Sequence, residues 1–152
     1  MGSIAEAKDK VLTMLTEGMS LKVQVGKDNT FIVSFDDLST AVFFNFIEQT
    51  FDGDAAPQAF VYITAPILRQ VPPSNELYKW IAIQGTGFRL GCVEAFENED
   101  GTLFLRYKYV LLADFLDEDE LSTAMWSVLH TANDLDDILQ KEHGGRRWVD
   151  ED

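Results

Sequence analysis

The chain has 152 residues, of which 46% are hydrophobic, and its 26 acidic side chains against 12 basic ones give a net charge of −14 at pH 7. This length suits one domain whose core needs no disulfide or metal to hold it together. So negative a chain is disfavoured as a binder of nucleic acid or of an anionic membrane, because Lys and Arg side chains must neutralise the phosphate groups of both.

The chain opens with the pattern of an amphipathic helix followed by a hairpin. Ser3 stands three residues before Glu6, the spacing of a capping box, and apolar residues then recur every three or four positions. Further along, the period changes to two, which predicts strands over residues 21–25 and 31–35. The G-K-D-N segment at 26–29 has the composition of the turn between them.

Two longer strands and a short helix follow. Residues 40–48 (TAVFFNFIE) are apolar on both faces, and residues 59–67 (AFVYITAPI) form the next strand after a loop broken by Gly and Pro. Pro72 and Pro73 forbid further strand pairing and release the chain into a helix that Ser74 can cap. The apolar side chains of this helix are Leu77, Trp80 and Ile81.

A second hairpin and a long helix complete the pattern. Residues 88–96 and 102–112 predict two strands joined by an Asp100-Gly101 turn, and Asp117 caps a helix that ends before Gly144. The order α-β-β-β-β-α-β-β-α predicts an α+β domain over residues 1–145, an antiparallel sheet flanked by helices, with a charged tail at 146–152. The predicted buried stripe of the last helix is Leu121, Met125, Val128, Ala132, Leu135 and Ile138 or Leu139.

Nothing in the sequence forms a catalytic or metal-binding motif. His130 and His143 are the two histidines, and neither stands at a recognisable spacing from a Ser or Cys nucleophile. Cys92 is predicted to be buried and inert within a strand. The acidic segments FDGD and DEDE lack the regularly spaced ligand residues and the closing Glu of an EF-hand calcium loop. The sequence therefore predicts no catalytic residue, no cofactor and no metal.

The strand pattern also places aromatic side chains on a second face of the sheet. If Val42 and Phe44 point toward the helices, their neighbours point away, and Arg106 and Lys108 are expected at the rim. Three interpretations remain open, namely burial within the fold, a homodimer interface or a peptide groove. The candidate residues of this face are Phe43, Ile47, Phe60, Tyr62, Phe104 and Arg106.

Several segments together resemble one family. The run APILRQVPPSNELYKWIA, the strand RYKYVLLADF and the closing TANDLDDILQKEHGG are similar to the YbjN-like domains, allied to the CesT-type chaperones of type III secretion, with the actinobacterial branch nearest. The resemblance covers residues 21–145. It implies a compact α+β chaperone-like fold, often dimeric, that binds peptides or proteins and has no catalytic residues. The family's A-x-x-L-D-x-x-L pattern before paired glycines falls on Ala132, Leu135, Asp136, Leu139, Gly144 and Gly145.

These observations lead to an expected function and location. The lone Cys92, the lack of a signal-peptide pattern and the lack of a long apolar run indicate a cytoplasmic protein without a membrane span. We expect a homodimer that binds a peptide or protein client, either basic or amphipathic, and no nucleic acid. The alternatives are a structural or regulatory homodimer with no peptide groove and, third, a hydrolase.

Overall fold

The computed structural model describes residues 3–53 and 56–150 of the chain. Its helices are α1 (Ile4–Thr13), α2 (Asn75–Ile83) and α3 (Glu118–His143). Its strands are β1 (Gln24–Val25), β2 (Phe31–Ser34), β3 (Ala41–Gln49), β4 (Gln58–Val71), β5 (Cys92–Glu97) and β6 (Leu103–Leu112). The predicted order of helices and strands is confirmed. Residues 54 and 55 of the predicted loop lie outside the described residues.

The six strands form one antiparallel sheet in the order β1-β2-β3-β4-β6-β5. Strand β4 lies near its centre, between β3 and β6. Along β3 the register runs from Phe43 opposite Thr64 to Gln49 opposite Gln58. The predicted α+β class is therefore confirmed, and each face of the sheet is set by the alternation of side chains along its strands.

Helices α1 and α3 pack on one face of the sheet, where the alternate strand residues are buried. Helix α3 lies against β3, β4 and β6, and α1 lies against β3 and β4. Val42, Phe44, Val61, Ile63 and Leu105 on this face are fully buried. The buried side chains of α3 are Leu121, Ala124, Met125, Val128, Leu129, Ala132, Asp136 and Leu139.

The helix starts follow the predicted caps. The side-chain oxygen of Ser3 accepts a hydrogen bond from the backbone N–H of Glu6 at 3.2 Å. Ser74 does the same for Leu77 at 3.1 Å, and the carboxylate of Asp117 accepts from the third residue of its helix at 2.8 Å. Each bond satisfies a backbone donor that the first helical turn leaves unpaired.

The first predicted strand is shorter than expected. Only Gln24–Val25 pairs with β2, because α1 continues into a π-helical turn, Met14–Gly18, and the backbone N–H of Leu21 still donates to Leu15 of that turn at 2.9 Å. Leu21 and Val23 instead pack at the margin of the core, and Val25 is 55% exposed.

The fourth strand is longer than expected. It continues past Pro66 to Val71, through register shifts on either side of Leu68, and it ends where Pro72 and Pro73 begin. Such bulges are where a strand tolerates a proline. In the helix that follows, Leu77 is fully buried, whereas Trp80 and Ile81 are half-buried.

Candidate functional site

One face of the sheet is turned away from the helices, and we call it the open face. All six candidate residues lie there, with Ile47 45% exposed and the others half-buried. The register carries this face across β3, β4, β6 and β5, since Ile47 stands opposite Phe60 and Arg106 stands opposite both Pro66 and Glu94. Its residues on these four strands are Phe43, Asn45, Ile47, Phe60, Tyr62, Thr64, Pro66, Cys92, Glu94, Phe96, Phe104, Arg106, Lys108, Val110 and Leu112.

Aromatic rings cover both ends of the open face. At one end Phe60 meets Phe51 edge to face, with ring centroids 5.9 Å apart. At the other end Phe104 lies 6.4 Å from Phe96, which is 43% exposed. Large aromatic side chains supply much contact area for little loss of conformational freedom, so this surface suits binding by apolar contact.

Three charged side chains lie together on the open face, Arg106 and Lys108 on β6 and Glu94 on the edge strand β5. The Lys108 ammonium is 2.9 Å from the Glu94 carboxylate, and the Arg106 guanidinium donates to the other oxygen of that carboxylate. The Arg106 guanidinium also lies 4.6 Å from the centre of the Phe96 ring, in a cation–π contact. Arg106 and Lys108 were expected at a rim. That expectation is wrong, because β6 is flanked by β4 and β5.

The residues after α3 return to the open face. Arg146 pairs with Arg69 of β4 through two backbone hydrogen bonds of 2.7 and 2.8 Å. The Trp148 indole then meets the Phe43 ring edge to face, with centroids 5.5 Å apart. Trp148 was missed by sequence reasoning, although an indole among charged residues was a signal. A cavity of about 190 Å³ is lined by Phe43, Asn45, Thr64, Pro66, Phe104, Arg106 and Trp148.

A cluster of charged groups holds the backbone around Trp148. The Asp150 carboxylate accepts hydrogen bonds from the backbone N–H of Arg147 at 2.8 Å and from Gln140 at 3.1 Å. Hydrogen bonds from the Arg147 side chain lower the pKa of Asp150 to about 2. Arg147 also pairs with Asp137 of α3 at 3.0 Å. The segment is therefore tied to α3 as well as to β4.

A buried carboxyl group joins α3 to the loop before β3. Asp136, the acidic residue of the family-like pattern, is fully buried, and the Ser39 hydroxyl donates to it. Asn133 accepts from the Ser39 backbone N–H at 2.8 Å. Burial raises the pKa of Asp136, against the opposing effects of the Ser39 hydrogen bond and the nearby Arg147 charge. Its second oxygen, Oδ1, has no partner in the part of the chain that the structure describes.

At pH 7 the Asp136→Asn variant is expected to have a higher free energy of unfolding than the wild type. The raised pKa means that the folded state holds this proton more tightly than the unfolded chain does. The stability that the protonated Asp136 carboxyl contributes is therefore present below its pKa in the unfolded chain and is lost as pH rises through its pKa in the folded protein. An asparagine side chain is neutral at any pH, so the variant does not lose stability in this way. Urea unfolding at pH 7 and pH 4 should show the advantage of the variant shrinking at pH 4.

The exposed Asp134 provides the control for this change. Asp134→Asn removes one charge from the same helix without altering a buried group, so we expect little difference from the wild type at either pH. If Asp136→Asn were instead less stable than the wild type at pH 7, attraction to Arg147 and the Ser39 hydrogen bond would outweigh the cost of burying the carboxylate.

The groups considered for catalysis lie apart. Cys92 is not buried within a strand as predicted, because it is the first residue of β5 and lies half-exposed on the open face, opposite Lys108. His130 and His143 both lie on α3, across the sheet from that thiol, and the His130 ring stacks on Trp126 at 5.5 Å. Within residues 3–53 and 56–150, no group of three or more His, Cys, Asp or Glu side chains could hold a metal ion.

Among the described residues, no helix is both long enough and apolar enough to cross a bilayer.

Comparison with known proteins places the chain in a family. None of the curated proteins compared with it matches. A family model described as "T3SS (YopN, CesT) and YbjN peptide-binding chaperone 1" matches residues 5–151, a range that includes the segment carrying Trp148. Because this match spans nearly the whole chain and agrees with the α+β fold, the chain belongs to the peptide-binding chaperone family of YbjN and the type III secretion proteins YopN and CesT.

Proposed function

We propose that the protein is a non-catalytic chaperone-like domain that holds a peptide segment of a client protein on the open face. The observation that carries this proposal is the contrast between the two faces of the sheet. Helices α1 and α3 bury one face, whereas the other presents half-buried aromatic rings together with Ile47 at 45% and Leu112 at 42% exposure. Family membership supports the same class of function.

The client that fits this surface is amphipathic. Its apolar side chains would cover the rings of the open face, since removing apolar area from water is the main source of binding free energy. Tyr62 and Asn45 lie beside those rings and offer hydrogen bonds. A client with basic residues would be attracted by the net charge of −14, yet Arg106 and Lys108 repel cations on β6. Basic residues would therefore lie beyond the open face.

The proposal also covers location and assembly. Cys92 has no second cysteine in the sequence with which to form an internal disulfide, which suits a reducing cytoplasm. A homodimer remains the alternative use of the open face, because Ile47, Phe96 and Leu112 would be covered equally well by a second copy. Peptide binding and dimerisation through this face exclude each other where they need the same residues.

The double variant Ile47→Asp, Tyr62→Asp is expected to lose peptide binding. Wild type is first used to probe an array of random 15-residue peptides, and the strongest binder is then titrated by fluorescence anisotropy. Two carboxylates in the apolar contact should weaken binding by about thirtyfold or more, as for other central contact residues. The matched control is Ile83→Asp, Tyr78→Asp, which makes the same changes at exposed positions of α2. Its affinity should stay within about twofold of wild type.

Light scattering on the same samples separates the two uses of the open face. Equal loss of binding in both double variants, with both folded by circular dichroism, would place the peptide elsewhere. The homodimer alternative would replace the chaperone-like function if two results were found together. The wild type would bind no array peptide, and the protein would become monomeric only when the open face is altered.

A further inference from the structure

Part of the open face is already in contact with a short segment of the same chain. The Trp148 ring packs against Phe43, yet Trp148 remains 44% exposed. The cavity of about 190 Å³ beside it reaches Phe104 and Arg106. The indole therefore occupies only part of the space that this region of the open face offers.

We propose that the client presents an aromatic side chain followed by acidic residues, and that this aromatic side chain takes the place of Trp148 against Phe43. The inference rests on the proposed function, because it specifies which peptides the open face holds. Trp148 is then an internal competitor of the client, and the two occupy the same position in turn.

The walls of the cavity favour an aromatic ring. Phe43 and Phe104 provide ring faces and edges, and Pro66 provides a flat apolar surface between their strands. Asn45 and Thr64 add polar groups that an indole N–H or a phenol hydroxyl can reach. The docking of Trp148 shows directly that a ring is accepted against Phe43.

The charges beside the cavity favour acidic residues next to that ring. Arg106 and Lys108 both pair with the single carboxylate of Glu94, so the three side chains together carry one net positive charge. These side chains are 22–28% exposed, which leaves them accessible to a partner. The chain's own segment has the matching composition, since Trp148 begins the sequence W-V-D-E-D.

Trp148 can leave the open face without release of the surrounding backbone. Before it, Arg146 is bonded to Arg69, and after it, the Asp150 carboxylate is bonded to Arg147. The contact between Trp148 and Phe43 joins two side-chain rings. A client therefore competes with a side-chain contact, and the apparent affinity of the wild type falls by the fraction of molecules in which Trp148 covers the site.

The test measures binding of an N-terminally fluorescein-labelled peptide W-V-D-E-D to the full-length protein by fluorescence anisotropy. The Trp148→Ala variant, which vacates the site, is expected to bind the peptide at least about tenfold more tightly than wild type, because a tethered competitor acts at high effective concentration. Val149→Ala is the matched control, since Val149 is 52% exposed and its substitution keeps the indole. It should bind as wild type does.

Two altered peptides test the ring and the charge separately. Both A-V-D-E-D and W-V-K-K-K are expected to bind Trp148→Ala at least about tenfold more weakly than W-V-D-E-D. Equal binding of W-V-D-E-D by wild type and Trp148→Ala would overturn the competition, as would absence of binding to either. Equal or tighter binding of either altered peptide would overturn the aromatic-acidic specificity.

The outcome is distinguishable from failure of the proposed function. If array peptides bind and Ile47→Asp, Tyr62→Asp abolishes their binding while W-V-D-E-D does not bind Trp148→Ala, only the present inference fails. If no array peptide binds either, both fail. Circular dichroism and a urea midpoint close to that of wild type establish that Trp148→Ala is folded.

Discussion

Phe44→Ala is expected to lower the free energy of unfolding by about 3–5 kcal/mol, the usual cost of removing a buried phenyl ring. Phe44 is fully buried in the middle of β3, between Phe31 of β2 and Ile63 of β4. Helices α1 and α3 close over the same face. The neighbouring side chains are held by the sheet and by the two helices, so they cannot collapse into the space that the ring leaves. Urea unfolding followed by circular dichroism measures the loss.

The neighbouring residue provides a matched control on the opposite face. Phe43 is half-buried, and its ring meets Trp148 instead of the helices. Phe43→Ala should cost about 1 kcal/mol, because one aromatic contact and part of the apolar burial are lost. The same chemical change at adjacent positions therefore separates the side of the sheet that holds the fold from the side that we propose for binding.

A cost for Phe43→Ala as large as that for Phe44→Ala would contradict this division. If the cost rose with protein concentration, the open face would be an interface between two copies, since association stabilises the folded state by mass action. If it did not depend on concentration, the open face would be buried within the fold itself. These are the two alternatives that the sequence left open beside a peptide groove.

Much of the fold could be predicted because it is written in short-range patterns. The caps at Ser3, Ser74 and Asp117 are local hydrogen bonds between residues three apart, which the sequence displays directly. Apolar residues that recur every three or four positions indicate a helix, and those that alternate with polar residues indicate a strand. Pro72 and Pro73 mark the end of β4. The six residues assigned to the second face follow from the same alternation, once Val42 and Phe44 are taken as core.

The features that could not be predicted depend on contacts between distant parts of the chain. The interior position of Arg106 follows from sheet order, because β6 is inserted between β4 and β5, and no pattern within β6 announces this. The burial of Asp136 depends on Ser39, which lies 97 residues away in sequence. The docking of Trp148 depends on the pairing of Arg69 with Arg146, which lie 77 residues apart in sequence. The composition of the segment that carries Trp148 indicates only a charged tail.

Total charge and local charge also lead to different expectations. The net charge of −14 favours a basic partner at long range, where the field of the whole protein acts. At contact distance the open face carries Arg106 and Lys108 against one carboxylate, Glu94. Contact determines which peptide fits, whereas the distant field determines how quickly it arrives. The composition of the chain was therefore a poor guide to the chemistry of its proposed binding surface.

Gly91→Ala is expected to lower the free energy of unfolding by about 2–5 kcal/mol, through backbone strain together with steric overlap. Gly91 has a φ of +93°, and a Cβ added there would lie 2.3 Å from the backbone oxygen of Lys108 and 2.9 Å from the Tyr107 ring. The buried Tyr107 hydroxyl donates to the carbonyl of Leu90, so the segment cannot shift without breaking that bond. Urea unfolding of the variant measures the cost.

Gly101→Ala separates the two contributions to this cost. Gly101 also has a positive φ, +84°, but an added Cβ would meet no atom within 4 Å, so only the strain of about 1–2 kcal/mol is expected. Equal costs at the two positions would mean that β5 does not approach β6 as closely as the structure has it. That approach places Glu94 opposite Arg106 and brings its carboxylate within 2.9 Å of the Lys108 ammonium. A destabilised but folded Gly91→Ala protein should therefore also bind the client less selectively for acidic residues.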